Sequence, residues 1–337
     1  ILKQITNNFK DQKVSNSDGF WDGVTEQYLT HLITLALVVC KDSQITFEIL
    51  FDLFKKMNNN TPIDEIIPDL EHEVLANNDL RFALQFFAEE FQNLNEKTRS
   101  IVVTALSSML FKFNVGMLKK LFGSNGNITP KWIMNGAVIV VNMPTEEFGE
   151  VGKICNLLWK FAFQKAVQNR QKLNNELRPI FLWADEVQDY IHANDSKFQA
   201  TARSKWCATV YLTQNIPGLR LAMGGGYEAQ DAIKSLDSNL VNSVFNQNID
   251  EETNKYASTI LGTKTVKNKS VSTHGVFLEK NSTTITEKEE FRVKNNAFRL
   301  LKSGGIKNNY CVQFYVSFPG LRLQYSFDEA KALDHRL

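Results

Sequence analysis

The sequence predicts an α/β fold with a mainly parallel sheet, joined to an all-α unit. Three observations predict it. From residue 137 onward, short apolar runs alternate with helical patterns, the alternation that builds parallel sheets with right-handed crossovers. Residues 21–122 contain no clearly alternating stretch and instead space Phe, Leu and Val at helical intervals. Residues 178–186 (RPIFLWADE) form an apolar, aromatic run that stops at two adjacent carboxylates. Such a run reads as a strand buried on both faces, delivering its last residues to the carboxyl edge of the sheet, where open α/β folds bind ligands.

At 337 residues the chain has room for two domains, or for one large α/β domain carrying an insertion. Its 38 basic and 37 acidic residues nearly cancel, so no global basic field announces nucleic-acid binding, and any such contact has to be made by local patches. Cys40, Cys155, Cys207 and Cys311 are far apart and form no CxxC pair; they read as reduced core residues of a cytosolic protein. The longest mostly aliphatic run, residues 32–39, is too short to cross a bilayer, and no signal-peptide pattern is present. The chain starts at Ile1, in mid-pattern, so upstream sequence is expected beyond it. The five histidines are scattered without ligand spacing.

Residues 1–20 are polar and unpatterned, a tail or loop. Phe20 and Trp21 open a helix running to Val39, and Phe47, Leu50, Phe51 and Phe54 mark a second apolar face. Pro62 and Pro68 punctuate an acidic link. Helical spacing returns through Phe82, Phe86, Phe87, Phe91 and Leu94, then Val102, Ala105, Leu106 and Met109. These Phe-rich faces are expected to be core. After a turn-rich joint at residues 123–127, the β-branched run 137–143 (AVIVVNM) is expected to be a strand, followed by a helix through Val151, Ile154, Leu158 and Phe161. The 180–184 strand and a helix capped by Asp195 or Ser196 come next. Residues 207–212 (CATVYL) give a third strand, 240–245 a fourth, and Asp250 caps a helix ending before Gly262. Residues 263–294 turn polar, as a hairpin or loop; 311–318 suit an edge or terminal strand, and the charged tail is expected to be peripheral.

Two acids at a sheet edge are costly to desolvate unless something positive faces them, and a magnesium–nucleotide complex would do so. That is the chemistry of a Walker B strand. Asp185 would hold the metal, and Glu186 would orient and deprotonate the attacking water. Gln214 stands where the next strand reaches the same edge, where an amide can sense a γ-phosphate or hold water. The same Asp185-Glu186 pattern also occurs at ordinary helix N-termini, and Thr213-Gln214-Asn215 also suits a turn or cap. A P-loop needs G-x-x-x-x-G-K-[ST]. Residues 149–154 (GEVGKI) lack that spacing and the hydroxyl, so they read as a strand-to-helix turn. Arg203 either favours its helix dipole or reaches a neighbour's nucleotide as a finger. Lys264, Lys267 and Lys269 head the best local basic segment, a solvated loop or a strand-tracking loop at a pore.

FLWADEVQDY (181–190), ATARSKWCATVYLTQNIPGL (200–219) and SNLVNSVFNQNIDEETNKYASTILGTKTV (238–266) resemble VirD4/TraG/TraD-type coupling ATPases of type IV secretion, relatives of the FtsK/HerA group. AVIVVNMP (137–144) and FRLLKSGG (298–305) are similar too. The resemblance implies a RecA-like P-loop NTPase core with an inserted all-α domain. Residues 1–39 would be the N-terminal helical part of the nucleotide-binding domain, 40–122 the insertion, 123–327 the RecA-like domain and 328–337 a tail. It implies ATP and Mg2+ as cofactors, Asp185 and Glu186 as Walker B, Gln214 as the sensor and Arg203 as the arginine of the intervening helix. It further implies a hexamer at the cytoplasmic face of the inner membrane, or in the cytoplasm, with DNA, relaxase or relaxosome proteins and channel components as partners. Alternatives are a HerA/FtsK- or VirB4-like motor with no relaxase role, or a non-catalytic recruitment scaffold. Without a Walker A string, this chain alone is expected to be inactive.

Overall fold

The computed structural model describes residues 18–41, 45–59, 61–67, 69–123, 128–171, 178–192, 194–274, 280–319 and 335–336. The expected polar tail at 1–17, most of the joint at 123–127, the side chain of Lys269 and residues 328–334 lie outside the described residues. The chain divides into two compact units, Ile1–Ile180 and Phe181–Leu337.

Among the described residues, the first unit is built of helices up to the start of the strand at Ile180. It contains α1 (Asp18–Cys40), α2 (Phe47–Asn58), the single turn α3 (Ile63–Ile66), α4 (Leu70–Ala76), α5 (Asn78–Gln85), α6 (Glu96–Phe113), α7 (Gly116–Phe122) and α8 (Thr145–Gln168). Local chemistry sets the starts: the Thr46 hydroxyl accepts from the Ile49 N–H at 3.3 Å, and Asn95 Oδ1 accepts from the Thr98 N–H at 2.8 Å, each satisfying a donor the first turn leaves open. Most of the Phe-rich faces pack inward as expected, with Phe86, Phe87 and Phe91 buried, but Phe82 is exposed. Tyr28 meets Phe87 and Phe91 edge-on at 4.9 Å between ring centroids, and Leu32, Val102, Leu106, Leu110 and Phe113 are fully buried in the same core. Burial of each such side chain stabilises by about 1.5–3 kcal/mol.

Two expectations in this unit are corrected. The apolar run of α1 extends back beyond residues 32–39. By length and composition its Gly23–Cys40 window is long and apolar enough to cross a membrane, though here Tyr28, Leu32, Leu35 and Ala36 are buried in the helical core. Residues 137–143 form no strand: they carry no regular secondary structure, and Val138 and Val140 are exposed. A β-branched run favours extended backbone, but a strand also needs a neighbour, and none pairs with it among the described residues. The 149–154 string lies inside α8, where Gly149 breaks helical geometry at φ 53° and ψ −127°.

In the second unit, β1 (Ile180–Ala184) and β2 (Cys207–Tyr211) are neighbours, connected through α9 (Asn194–Ala202). The Leu212 N–H donates to Ala184 O at 2.9 Å, while Leu212 O accepts from the Val187 N–H at 3.0 Å, the staggered pattern of a parallel pair. Next come α10 (Ile216–Ala222), α11 (Gly226–Asn239), β3 (Ser243–Phe245) and α12 (Glu251–Leu261). The β4 (Thr263–His274) and β5 (Lys280–Phe291) strands form an antiparallel hairpin. β6 (Cys311–Val312), β7 (Tyr315–Ser317) and β8 (His335–Arg336) complete the order. Cys40, Cys155, Cys207 and Cys311 are free thiols.

The structure departs from the sequence reading here at three points. β1 is buried on one face only: Ile180 and Ala184 are buried, whereas Phe181 and Trp183, which alternate with them, are exposed. The fourth strand does not extend the parallel pair; β3 pairs antiparallel with β7. The tail is not wholly peripheral, because His335 and Arg336 pair with Val312 and Cys311.

Candidate functional site

β1 and β2 carry their polar ends to one edge. Past Ala184 the backbone turns sharply, with Glu186 left-handed at φ 46°, a conformation that is unfavourable for a residue with a Cβ. The turn is held locally. Asp185 Oδ1 accepts from the Glu186 N–H at 3.0 Å, and the Tyr190 hydroxyl donates to Asp185 O at 2.7 Å. Burial, and then the surrounding carboxylates led by Asp185, pushes the Tyr190 phenol up to about 12. It therefore stays a neutral donor through the physiological range.

Gln214, three residues past the end of β2, donates from Nε2 to both oxygens of Glu186, at 3.0 and 3.2 Å. Gln188 Nε2 donates to Glu186 Oε2 as well, and the Thr213 hydroxyl donates to Gln188 Oε1 at 2.8 Å. The Gln214 main chain is itself fixed, since its carbonyl accepts from Asn248 Nδ2 at 2.8 Å. Asn248 Oδ1 accepts from the Asp250 N–H at 2.8 Å. Asp250 caps α12, accepting from the Thr253 N–H at 2.8 Å and hydroxyl at 2.6 Å. That hydroxyl, then the N–H, hold the Asp250 carboxyl below its usual range. Thr253 Oγ1 also accepts from the Ile216 N–H at 3.0 Å, so the start of α12 and the loop after β2 form one frame.

Of the residues singled out from sequence, Asp185, Glu186 and Gln214 are brought together. Arg203 is not among them. It lies in the short 3-10 turn before β2, whereas Gln214 lies past the other end of that strand. The lysines are separated as well. Lys264 is opposite Glu290 and Lys267 opposite Glu287 across the hairpin, with a 3.1 Å ion pair in the second case. An odd offset of three residues puts Lys264 and Lys267 on opposite faces of the ribbon. Sequence reading missed Gln188, Tyr190 and Asn248 as parts of this site, and left Thr213 as a turn residue. The one usable signal was an amide two residues after the acid.

Among the described residues, no group of three or more His, Cys, Asp or Glu could enclose a metal. The exposed Asp185–Glu186 pair still suits a magnesium ion, which is ordinarily bound by one or two carboxylates with phosphates and waters completing the shell. The two carboxylates could therefore supply at most part of such a shell.

The family model described as type IV secretory system conjugative DNA transfer matches residues 1–301. The chain belongs to that family. No curated protein matches the sequence. Among solved structures, the family member resembles the bacterial conjugative coupling protein TrwBdeltaN70 in its unbound monoclinic form, at 14% identity and a TM-score of 0.59, over 94% of this chain and 64% of that one. The trigonal form in complex with sulphate matches at 15% identity and a TM-score of 0.58, over 95% and 65%. The chain thus spans a little under two thirds of those proteins. At this identity the likeness is one of fold: a RecA-like α/β part with an α-rich part.

Proposed function

We propose that the protein carrying this chain is a conjugative coupling ATPase, using ATP hydrolysis to recruit DNA, or a relaxase–DNA substrate, and move it toward a type IV secretion channel. Family membership supports the setting. The observation that carries the chemistry is the Gln214 amide on the Glu186 carboxylate, which joins the ends of two parallel strands.

Magnesium–ATP, when bound, supplies the phosphoanhydride and the charge that the two acids face. Asp185 would hold the cation through its water shell. Glu186 takes the proton from the attacking water at a carboxylate oxygen, and Gln214 orients that water or reads the terminal phosphate. Arg203 acts on a neighbour's site in a homo-hexameric ring, a role consistent with its place away from its own Glu186. The hairpin follows the DNA strand, and the assembly works in the cytoplasm or at the cytoplasmic face of the inner membrane.

The deciding experiment measures DNA-stimulated ATP hydrolysis by the full-length protein and by Glu186→Gln. Retained turnover in the variant would overturn the assignment of the base. A second reading, a recruitment scaffold without hydrolysis, is favoured by a groove of about 560 Å³ in the helical unit, lined by Phe51, Leu53, Phe111 and Val115 and rimmed by Lys55 and Lys119. It prevails if the full-length protein hydrolyses no nucleotide.

A further inference from the structure

We propose that Gln188 and Thr213 are positioning residues of this site, a relay that fixes the direction in which Glu186 presents its carboxylate. The inference rests on the reading of Glu186 as the general base. A carboxylate at a turn rotates freely about its side-chain torsions unless something holds it, and a base must be aimed before it is effective. Glu186 is exposed, so packing does not aim it. Two amides do.

These amides differ in what they are attached to. Gln214 belongs to the neighbouring strand end and is the group read as the sensor, so it has to leave the carboxylate when it turns to water or phosphate. Gln188 sits two residues beyond Glu186, in the same 3-10 turn that follows it, and travels with it. Its orientation is determined by a third group. The Thr213 hydroxyl donates to Gln188 Oε1 at 2.8 Å, which leaves Gln188 Nε2 facing Glu186 Oε2. One oxygen of the base is thereby held and the other is left for the water once Gln214 withdraws. A base oriented by a further side chain is a recurring device in hydrolytic sites. The same relay ties β1 to β2, because Gln188 follows one strand and Thr213 the other.

The test uses the full-length protein with Gln188→Leu, Thr213→Val and the double variant, with Thr213→Ser as the conservative control. In the nucleotide-free protein, hydrogen exchange of the Val187, Asp189 and Tyr190 amides is expected to quicken about 10-fold in each single variant and no further in the double, since both remove one relay. Thr213→Ser keeps the wild-type rate. With ATP and DNA, Gln188→Leu and Thr213→Val lower kcat about 10- to 100-fold and leave KM within about twofold. Unchanged exchange, or losses that simply add in the double variant, would overturn the relay. If Glu186→Gln abolishes turnover while Gln188→Leu preserves kcat, the relay fails and the assignment of the base survives. If Glu186→Gln leaves turnover intact, the base assignment fails, and the relay falls with it as an aiming device for that base.

Discussion

Gln214 Nε2 lies 3.0 Å from Oε1 and 3.2 Å from Oε2 of Glu186, so one amide spans both oxygens of a carboxylate on the adjacent strand. With Gln188 Nε2 on Oε2, this contact places two amides on one exposed carboxylate. Replacing Glu186 by Gln keeps the shape and removes the basicity. Hydrolysis by the full-length protein is expected to fall about 10²- to 10⁴-fold, the usual worth of a positioned general base. Phosphate release in the presence of DNA measures it, and wild-type turnover would contradict it.

The frame behind Gln214 is testable through stability. Asp250 caps α12 with two hydrogen bonds to Thr253, and loss of such a cap costs about 1 kcal/mol. Because its folded carboxyl is depressed below the usual value, the contribution is present above the unfolded value of about 3.9 and is lost as pH falls through the lower folded one. Urea midpoints of wild type and Asp250→Ala are therefore expected to differ at pH 7 and to converge only below about pH 4. An equal difference at pH 7 and pH 2 would show that the cap's charge plays no part.

How much of this was legible beforehand depended on whether the deciding contact was local. The helix Glu251–Leu261 could be read whole from Asp250 at its start, two acids in its first turn and Gly262 after its end, because caps and dipoles act within a few residues. β1 and β2 were legible as apolar runs ending in polar groups. Residues 137–143 carry the same signal and pair with nothing described, because a strand's partner is set at long range. The exposure of Phe181 and Trp183 was likewise invisible, since alternation shows two faces but not which of them is covered. Gln188 escaped notice because its role arises from a left-handed turn at Glu186 and a hydroxyl 25 residues away, neither of which a sequence pattern encodes.

In the helical unit, two neighbouring aromatics should behave oppositely. Phe113 is fully buried and stacks on Phe47 at 4.0 Å between centroids, whereas Phe111 is 53% exposed. Phe113→Ala is expected to destabilise the protein by about 3–5 kcal/mol. Phe111→Ala should stay within about 0.5 kcal/mol. Denaturant titration followed by far-ultraviolet circular dichroism compares them, and equal losses would contradict the burial difference.

The hairpin's lysines face glutamates, which alters what a charge variant should do. Glu287 pairs with Lys267 at 3.1 Å and Glu290 with Lys294 at 3.4 Å, so Lys267 and Lys294 are partly spent on glutamates of the hairpin. If the hairpin follows DNA, Glu287→Gln with Glu290→Gln frees Lys267 and Lys294. DNA affinity of the full-length protein then rises, and its logarithmic salt slope steepens by up to about 0.9 per lysine on duplex. Fluorescence anisotropy across a salt series reads the slope. A slope identical to wild type would remove the hairpin from the DNA path.

Arg203 offers the sharpest test of assembly. It precedes β2 while Gln214 follows it, so the strand itself separates the arginine from its own Glu186. If Arg203 is a finger, it is expected to serve another subunit's site. Arg203→Ala and Glu186→Gln proteins should each be nearly inactive, with arginine fingers worth about 10³- to 10⁵-fold in rate where they operate. Mixed in equal amounts under conditions that let subunits exchange, they should regain activity, because some interfaces then join an intact Glu186 to an intact Arg203. Mixtures that stay as inactive as either parent would return Arg203 to a simpler role, a positive charge at the end of α9 that favours the helix dipole.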